Sequence, residues 1–263
     1  GWLERWVQTE WPDMQVWMTS VTDHWSTFAV AGPNSRAVVG KVLTDIDLSN
    51  EAFPFMGWRT ATAAGVPARV MRISFSGELS YEVNVPSNAG AHVWKALMEA
   101  GKEFDITPYG TETMHVLRAE KGYIIVGQDT DGSISPYDLG MGGMVSKTKD
   151  FLGRRSLSRS DTARSDRKQL VGLLTDEEKL VLPEGTQLTE LSQAAPPPVP
   201  MIGHVTSSYF SPTLGRSIAM AVVRSGQQRM GQKVYAALAD GRTAAATVCS
   251  PVFYDPEGKR LHA

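Results

Sequence analysis

The sequence predicts an α+β protein in which a mixed helix–strand region is followed by a small antiparallel β-barrel or sandwich. Three observations favour this class. Helical and strand patterns interleave in the first region, a polar and charged stretch follows at residues 158–167, and only short extended segments separated by turns come after it. We therefore predict two domains, residues 1–157 and 168–263, joined by that linker.

The first region is predicted to open with a helix, two short strands and a second helix. Apolar residues recur at helical spacing in residues 2–7, so we expect a helix with one buried stripe over the first ten residues. Residues 16–20 and 27–31 are predicted strands. The turn at 32–35 supplies an N-cap for a helix whose inner side carries Val38, Val39 and Val42.

Residues 70–85 give the clearest secondary-structure signal in the chain. Apolar and polar side chains alternate up to Phe75, residues 76–78 interrupt the pattern, and the alternation resumes from Leu79. This pattern predicts a hairpin or a tight strand pair. Its second strand places Glu82 on the face opposite Tyr81.

Two more helices and five extended segments complete the prediction. The helices run to Gly101 and from Thr111 to Gly122, and residues 124–144 are expected to form a loop with short extended pieces. The extended segments that predict the barrel or sandwich lie at 170–174, 202–207, 217–223, 233–237 and 243–248.

Composition excludes several classes of protein. The 26 basic and 28 acidic residues nearly cancel, which argues against nucleic acid or an anionic membrane surface as the main partner. No apolar run is long enough to span a membrane, and we expect a cytoplasmic location. The single cysteine, Cys249, allows no internal disulfide, and the five histidines lack metal-ligand spacing, so no metal is expected. The start at Gly1, directly in an amphipathic pattern, is typical of a cut within a longer protein.

Glu82 is the residue whose position most suggests chemistry. A carboxylate partway along a strand is costly to bury unless hydrogen-bond donors meet it. It either faces solvent beside Ser80 and Asn84, or it serves as a fixed acceptor pair for a planar ligand with adjacent N–H donors. The pattern alone leaves both readings open.

Four segments, in the same order, resemble motifs of the glycine-cleavage aminomethyltransferase (T-protein) family. They are residues 28–36 (FAVAGPNSR), 76–83 (SGELSYEV), 117–122 (LRAEKG) and 149–154 (KDFLGR). The sequence of residues 110–132 is most similar to the C-terminal folate-binding region of the α subunits of heterotetrameric sarcosine oxidases. The resemblance implies ferredoxin-like subdomains that bind tetrahydrofolate in a central cavity, capped by a C-terminal β-barrel.

The resemblance also implies site residues. Glu82 matches the family glutamate that binds the pterin ring, and Phe75 matches the aromatic residue seven positions before it. Met114 stands where T-proteins carry a folate-binding arginine, which implies a different substrate or carrier pose, and Tyr254 is expected to line the pocket. Arg118 and its neighbours are expected to hold the end of their helix. The family's catalytic aspartate is expected upstream of residue 1, so no catalytic residue is assigned here.

The expected activity is that of a module within a larger complex. In the parent sarcosine oxidase, an oxidoreductase, a flavin in another part would oxidise sarcosine, and tetrahydrofolate bound here would take up the one-carbon unit as 5,10-methylenetetrahydrofolate. FAD, FMN and NAD are expected in the complex but not on this chain. The expected partners are tetrahydrofolate and the other subunits, and we expect the chain to be inactive by itself.

Three alternatives stay open at this point. The first is another folate-dependent one-carbon enzyme, either T-protein itself, against which Met114 argues, or the dimethylglycine-dehydrogenase type. The second is a folate-binding protein of the iron–sulfur-assembly type, which would carry a cysteine within the segment that matches residues 149–154. The third is a structural or docking module that binds no ligand.

Overall fold

The computed structural model describes all 263 residues and divides them into two compact units. The first comprises residues 1–74 and 79–107, and the second comprises residues 75–78 and 108–263. The predicted α+β region followed by an antiparallel barrel is confirmed. The predicted domain limits, 1–157 and 168–263, stay a prediction. No helix is long and apolar enough to cross a membrane.

The first unit is a five-stranded antiparallel sheet with helices against it. The strands follow the order β1-β5-β4-β3-β2. The elements are α1 (Trp2–Thr9), β1 (Trp25–Ala31), α2 (Ser35–Val42), β2 (Leu43–Thr44), β3 (Trp58–Ala63), β4 (Val66–Met71), β5 (Ser80–Pro86) and α3 (Gly90–Gly101). Short 3-10 turns lie at Thr22–His24, Ser87–Ala89 and Lys102–Phe104.

The core of this unit lies between the sheet and the two helices α2 and α3. Alternate residues of β5, Tyr81 and Val83, are fully buried, and Val39 of α2 meets the same cluster. Because side chains alternate across a strand, the residues between them, including Glu82, project from the other face of the sheet. The sheet thus places Glu82 away from the apolar core.

Two expectations about the N-terminal segment were wrong in part. The first helix forms as predicted, but none of its residues is buried, and Trp2 is 64% exposed. Its aromatic rings contact one another instead, with Trp2 edge-on to Trp6 at 5.2 Å. Residues 16–20 form no strand because no neighbouring strand pairs with them, and an unpaired extended segment has no ladder of hydrogen bonds.

The second unit is a closed six-stranded antiparallel barrel with one helix on its outer surface. The strand order is β10-β11-β6-β9-β8-β7. The elements are α4 (Thr111–Glu120), β6 (Lys168–Thr175), β7 (Gln187–Thr189), β8 (Gly203–Ser211), β9 (Arg216–Arg224), β10 (Lys233–Ala237) and β11 (Thr243–Cys249), with 3-10 turns at Gly142–Met144, Arg154–Ser158, Gly226–Arg229 and Lys259–His262. Closure leaves no free sheet edge.

Alternation along the barrel strands separates two apolar clusters. The inner one includes Val171, Ala221 and Val223. The outer one contains Met220 and Val222 of β9, and it is covered by α4 and the segments around it. The barrel therefore has a filled interior and one covered outer face.

Candidate functional site

The Glu82 carboxylate is half-buried and has no hydrogen-bond or ion-pair partner within the protein. Its cross-strand neighbours are Ala29 on β1 and Met71 on β4, and neither carries a charge. Burial raises the pKa of the Glu82 carboxyl above its ordinary value. The structure thus shows an acceptor with unused capacity that is partly exposed to solvent.

The polar neighbours of Glu82 on the same face are already hydrogen-bonded to one another. Thr27 Oγ1 donates to the side-chain oxygen of Asn84 at 2.5 Å, and Asn84 Nδ2 donates to the carbonyl oxygen of Arg69 at 3.3 Å. Arg69 stacks its guanidinium over the Trp25 ring at 4.4 Å. None of these groups is directed at the Glu82 carboxylate, which leaves its oxygens free to accept bonds from a ligand.

Phe75 belongs to the second unit, where its ring stacks on Tyr123. The centroids are 6.3 Å apart and the rings are inclined by 20°. Phe75 is 37% exposed, so part of the pair stays accessible. Burial and the nearby charge of Asp255 raise the pKa of Tyr123, which keeps its phenol neutral. Tyr123 was missed at the sequence level, and the available signal was its place directly after the helix-ending Gly122.

One ion pair fastens the segment that carries Phe75. Glu78 binds Arg260, and Arg260 also lies over the Tyr254 ring, 5.6 Å from its centroid. Gly77 has a φ of +84°, and a Cβ there would lie 2.9 Å from Lys121 Cγ, so glycine is required. The segment is held by the C-terminal residues of the same unit.

Tyr254 and Met114 occupy different surroundings in the second unit. The backbone N–H of Tyr254 donates to the carbonyl oxygen of Glu120 at 2.9 Å, and the Tyr254 ring is half-buried. Met114 lies in the second turn of α4 and is also half-buried. Phe75, Met114 and Tyr254 are thus residues of one unit, whereas Glu82 belongs to the other.

Arg118 and Glu120 are used inside the fold, as predicted. Arg118 is fully buried and donates to Asp129 at 2.5 Å and to Ser207 Oγ at 2.7 Å. Glu120 accepts a hydrogen bond from Ser211 Oγ at 2.6 Å. These charged groups have partners on the barrel, so they fix α4 and are not available to a ligand.

Gly122 ends the same helix for a steric reason. Its φ is +73°, and a Cβ at this position would lie 2.6 Å from the carbonyl oxygen of Pro251. No group of three or more His, Cys, Asp or Glu side chains could hold a metal ion. The chemistry open to the described groups is therefore hydrogen bonding by Glu82 and stacking by the Phe75–Tyr123 pair.

Two family models match most of the chain. The model described as the GCVT N-terminal domain matches residues 1–149, and that of the glycine cleavage T-protein C-terminal barrel domain matches residues 168–255. The chain belongs to the glycine cleavage T-protein family. The residues that this T-protein family member folds into a closed barrel are those that the C-terminal barrel model matches.

Relatives of two kinds are similar to this T-protein family chain. It is 52% identical over 98% of its length to the sarcosine oxidase subunit alpha of Corynebacterium sp. (strain P-1) and 41% identical over 99% to that of Rhizobium meliloti. It spans 27% and 26% of the lengths of those two subunits. It is 30% identical over 95% of its length to the aminomethyltransferase of Thermotoga petrophila, of which it covers 65%.

A solved structure shares the fold. The glycine cleavage system aminomethyltransferase T from Bartonella henselae has a TM-score of 0.62 with this chain, at 17% sequence identity. The match covers 89% of this chain and 85% of the other. At this identity the likeness supports the fold of the T-protein family and nothing finer.

Proposed function

We propose that this chain is the tetrahydrofolate-binding module of a sarcosine oxidase α subunit, and that it captures the one-carbon unit of oxidised sarcosine as 5,10-methylenetetrahydrofolate. The observation that carries the proposal is the half-buried Glu82 carboxylate without a partner. A charged group that is partly removed from water and left unpaired is costly unless a ligand supplies the donors. The greater identity to the sarcosine oxidase subunits than to the aminomethyltransferase supports this choice of parent enzyme.

The residues present fit a pterin ring. A pterin offers two adjacent N–H donors in one plane, and a carboxylate can accept both in a bidentate, charge-assisted pair. Cross-strand neighbours without charge leave the carboxylate free to take such a pair. Tetrahydrofolate supplies the nitrogen atoms that receive the one-carbon unit. Glu82 would orient the ring so that these nitrogens meet the incoming group, a gain from proximity and orientation.

The remaining assignments belong to the same proposal. The Phe75–Tyr123 pair offers an accessible aromatic surface, which suits a flat heterocycle. Met114 and Tyr254 would contribute apolar and aromatic lining. FAD, FMN and NAD would act elsewhere in the parent complex, the other subunits would be protein partners, and no catalytic residue is assigned to this chain.

Calorimetric titration with tetrahydrofolate tests the proposal. We compare the wild-type chain with Glu82→Gln, which keeps the shape of the side chain and removes its charge. Glu99→Gln is the matched control, because Glu99 is an exposed acid of α3 in the same unit. Loss of a hydrogen bond to a charged group costs about 1.5–3 kcal/mol, so the affinity of Glu82→Gln should fall at least about tenfold.

The control should bind as the wild type does. Equal affinity of the Glu82→Gln variant and the wild type would overturn the role of Glu82. Absence of saturable binding to the wild-type chain would overturn the proposal that this chain holds the carrier, and would favour a docking module.

A further inference from the structure

A polar cleft within the second unit has no role in the proposed folate chemistry. Its volume is about 410 Å³, and it is bounded by residues 127–134, by the segment before β6 and by the near ends of β6, β8 and β9. Basic side chains are concentrated there, with Arg164, Arg167, Lys168 and Arg224 among the lining residues.

Three of the lining side chains share one face of the barrel. Lys168 on β6 is paired directly with Arg224 on β9. His204 on β8 is paired with Val222, two residues before Arg224. Since Val171 and Val223 fill the barrel interior, the even-numbered neighbours Lys168 and Arg224 project outward, into the cleft.

Lys168 and Arg224 are not engaged in direct bonds by their side chains. Neither side chain forms a hydrogen bond or an ion pair in the structure, although like charges directly opposite each other on paired strands are destabilising. The other two basic residues differ. Arg167 is bound by Asp138 and Asp161, and Arg164 is bound by Asp166.

Four acidic side chains also line the cleft, but hydrogen bonds or ion pairs with other groups already engage them. Asp161 and Asp166 are engaged by Arg167 and Arg164. Asp129 is buried against Arg118, and Asp131 accepts hydrogen bonds from the N–H and hydroxyl of Ser133 at 2.8 and 2.6 Å. Lys168 and Arg224 therefore face the cleft with Asp131 and Asp166 as their nearest acids, and both carboxylates already accept hydrogen bonds from Ser133 and Arg164.

The residues that line the cleft indicate which class of ligand it could bind. No Phe, Tyr or Trp side chain lines the cleft, and Ile134 and Val222 are its only large apolar residues. His204 supplies the one aromatic ring, so the lining favours ionic contacts over stacking. We propose that this cleft binds a small oxyanion, phosphate- or carboxylate-bearing, held by Lys168 and Arg224 with His204 at its wall.

Titration of the chain with inorganic phosphate and with citrate tests the proposal by calorimetry. The wild type should show saturable binding with a Kd of about 1 mM or tighter. The Lys168→Gln/Arg224→Gln double variant should bind at least about tenfold more weakly. Lys95→Gln/Arg155→Gln removes two exposed positive charges outside the cleft and should bind as the wild type does.

The two ligands distinguish the sources of the oxyanion. Tighter binding of phosphate assigns a phosphate-bearing ligand, and tighter binding of citrate assigns a carboxylate. Equal affinity of the double variant and the wild type overturns the site, and so does a response to chloride as strong as that to phosphate, since that would be general screening.

A second readout measures the pKa of His204 in the wild-type protein. Burial and the charge of Lys168 lower the pKa of His204, while Asp131 acts in the opposite direction. The remaining charged groups that line the cleft are Arg224, Asp129 in its pair with Arg118, and the paired groups Asp161, Arg164, Asp166 and Arg167. An anion bound beside Lys168 should raise the pKa of His204, followed by NMR with His204→Asn for assignment. An unchanged pKa of His204 at saturating phosphate would contradict the proposed location.

Discussion

The two units treat buried charge in opposite ways. In the second unit Arg118 and Asp129 are completely buried, and each is bonded to several groups of the barrel. In the first unit Glu82 is half-buried and has no protein partner, with Ala29 and Met71 beside it. Burial removes the Arg118–Asp129 pair from water completely and the Glu82 carboxylate in part. A charge that is bonded within the fold holds elements together, whereas one left without donors has capacity to accept them from a ligand.

The resemblance of a segment to a family motif does not by itself distinguish a structural charge from one that is available to a ligand. The segment of Arg118 and Glu120 resembles a T-protein family motif, as the segment containing Glu82 does. Only the count of donors and acceptors around each side chain distinguishes a structural charge from an available one. Glu120, for instance, accepts from Ser211 and Thr213 and has no acceptor capacity aimed at open space.

Breaking the buried pair should have the largest effect. Asp129→Asn leaves the Arg118 guanidinium buried without a counter-charge, and we expect a loss of about 3–5 kcal/mol in the free energy of unfolding. Urea unfolding followed by tryptophan fluorescence measures this loss. The Arg118→Met/Asp129→Leu double variant is the control, and it should recover part of the stability. A loss below about 1 kcal/mol for the single variant would show that the pair does not anchor α4.

A smaller loss is expected at the other structural carboxylate. Glu120→Gln keeps the size of the side chain but weakens the charge-assisted bonds from Ser211 and Thr213, so the free energy of unfolding should fall by about 1–3 kcal/mol. Glu82→Gln should change stability by no more than about 0.5 kcal/mol, because no protein bond is lost. A larger loss of stability for Glu82→Gln than for Glu120→Gln would contradict the conclusion that only Glu120 is bonded within the fold.

The smallest expected effect is the contribution of Glu82 to the pH dependence of the free energy of unfolding. Because burial raises the pKa of Glu82 above its ordinary value of 4.5, the folded state binds this proton more tightly than the unfolded state does. The penalty of the charged form is complete above the folded-state pKa and disappears as the pH falls toward 4.5. The wild type should therefore gain stability relative to Glu82→Gln on acidification through this window.

Paired unfolding curves of the two proteins across this pH range measure the effect. Taking the difference between wild type and variant cancels the contributions of all other titrating groups. A difference that stays constant with pH would indicate that the Glu82 carboxyl has the same pKa in both states.

Sequence periodicity predicted most of the fold. The alternation after residue 70 located β5, and helical spacing located α2 and α3, because each element buries one face. The strand expected at 16–20 was wrong, since alternation cannot show whether a pairing partner exists. β7, with only three residues, is too short to give a period. The six-residue strand β3 was missed as well. These errors show that local patterns do not encode which segments pair.

The sequence predicted which residues belong to the candidate site, but it did not predict the contacts that surround them. The resemblance singled out Glu82 and Phe75, but the Phe75–Tyr123 stack and the missing partner of Glu82 needed coordinates. The cleft beside Lys168 and Arg224 gave no sequence signal, because its charges lie far apart in the chain and meet only through strand pairing.

The most direct test of the central claim is a double-mutant cycle between protein and ligand. The wild type and Glu82→Gln are each titrated with tetrahydrofolate and with an analogue whose pterin 2-amino group is replaced by methyl. If Glu82 accepts from that group, the analogue should bind the wild type at least about tenfold more weakly, with a much smaller penalty for the variant. The same penalty for both proteins would contradict the account, because the 2-amino group and Glu82 would then act independently.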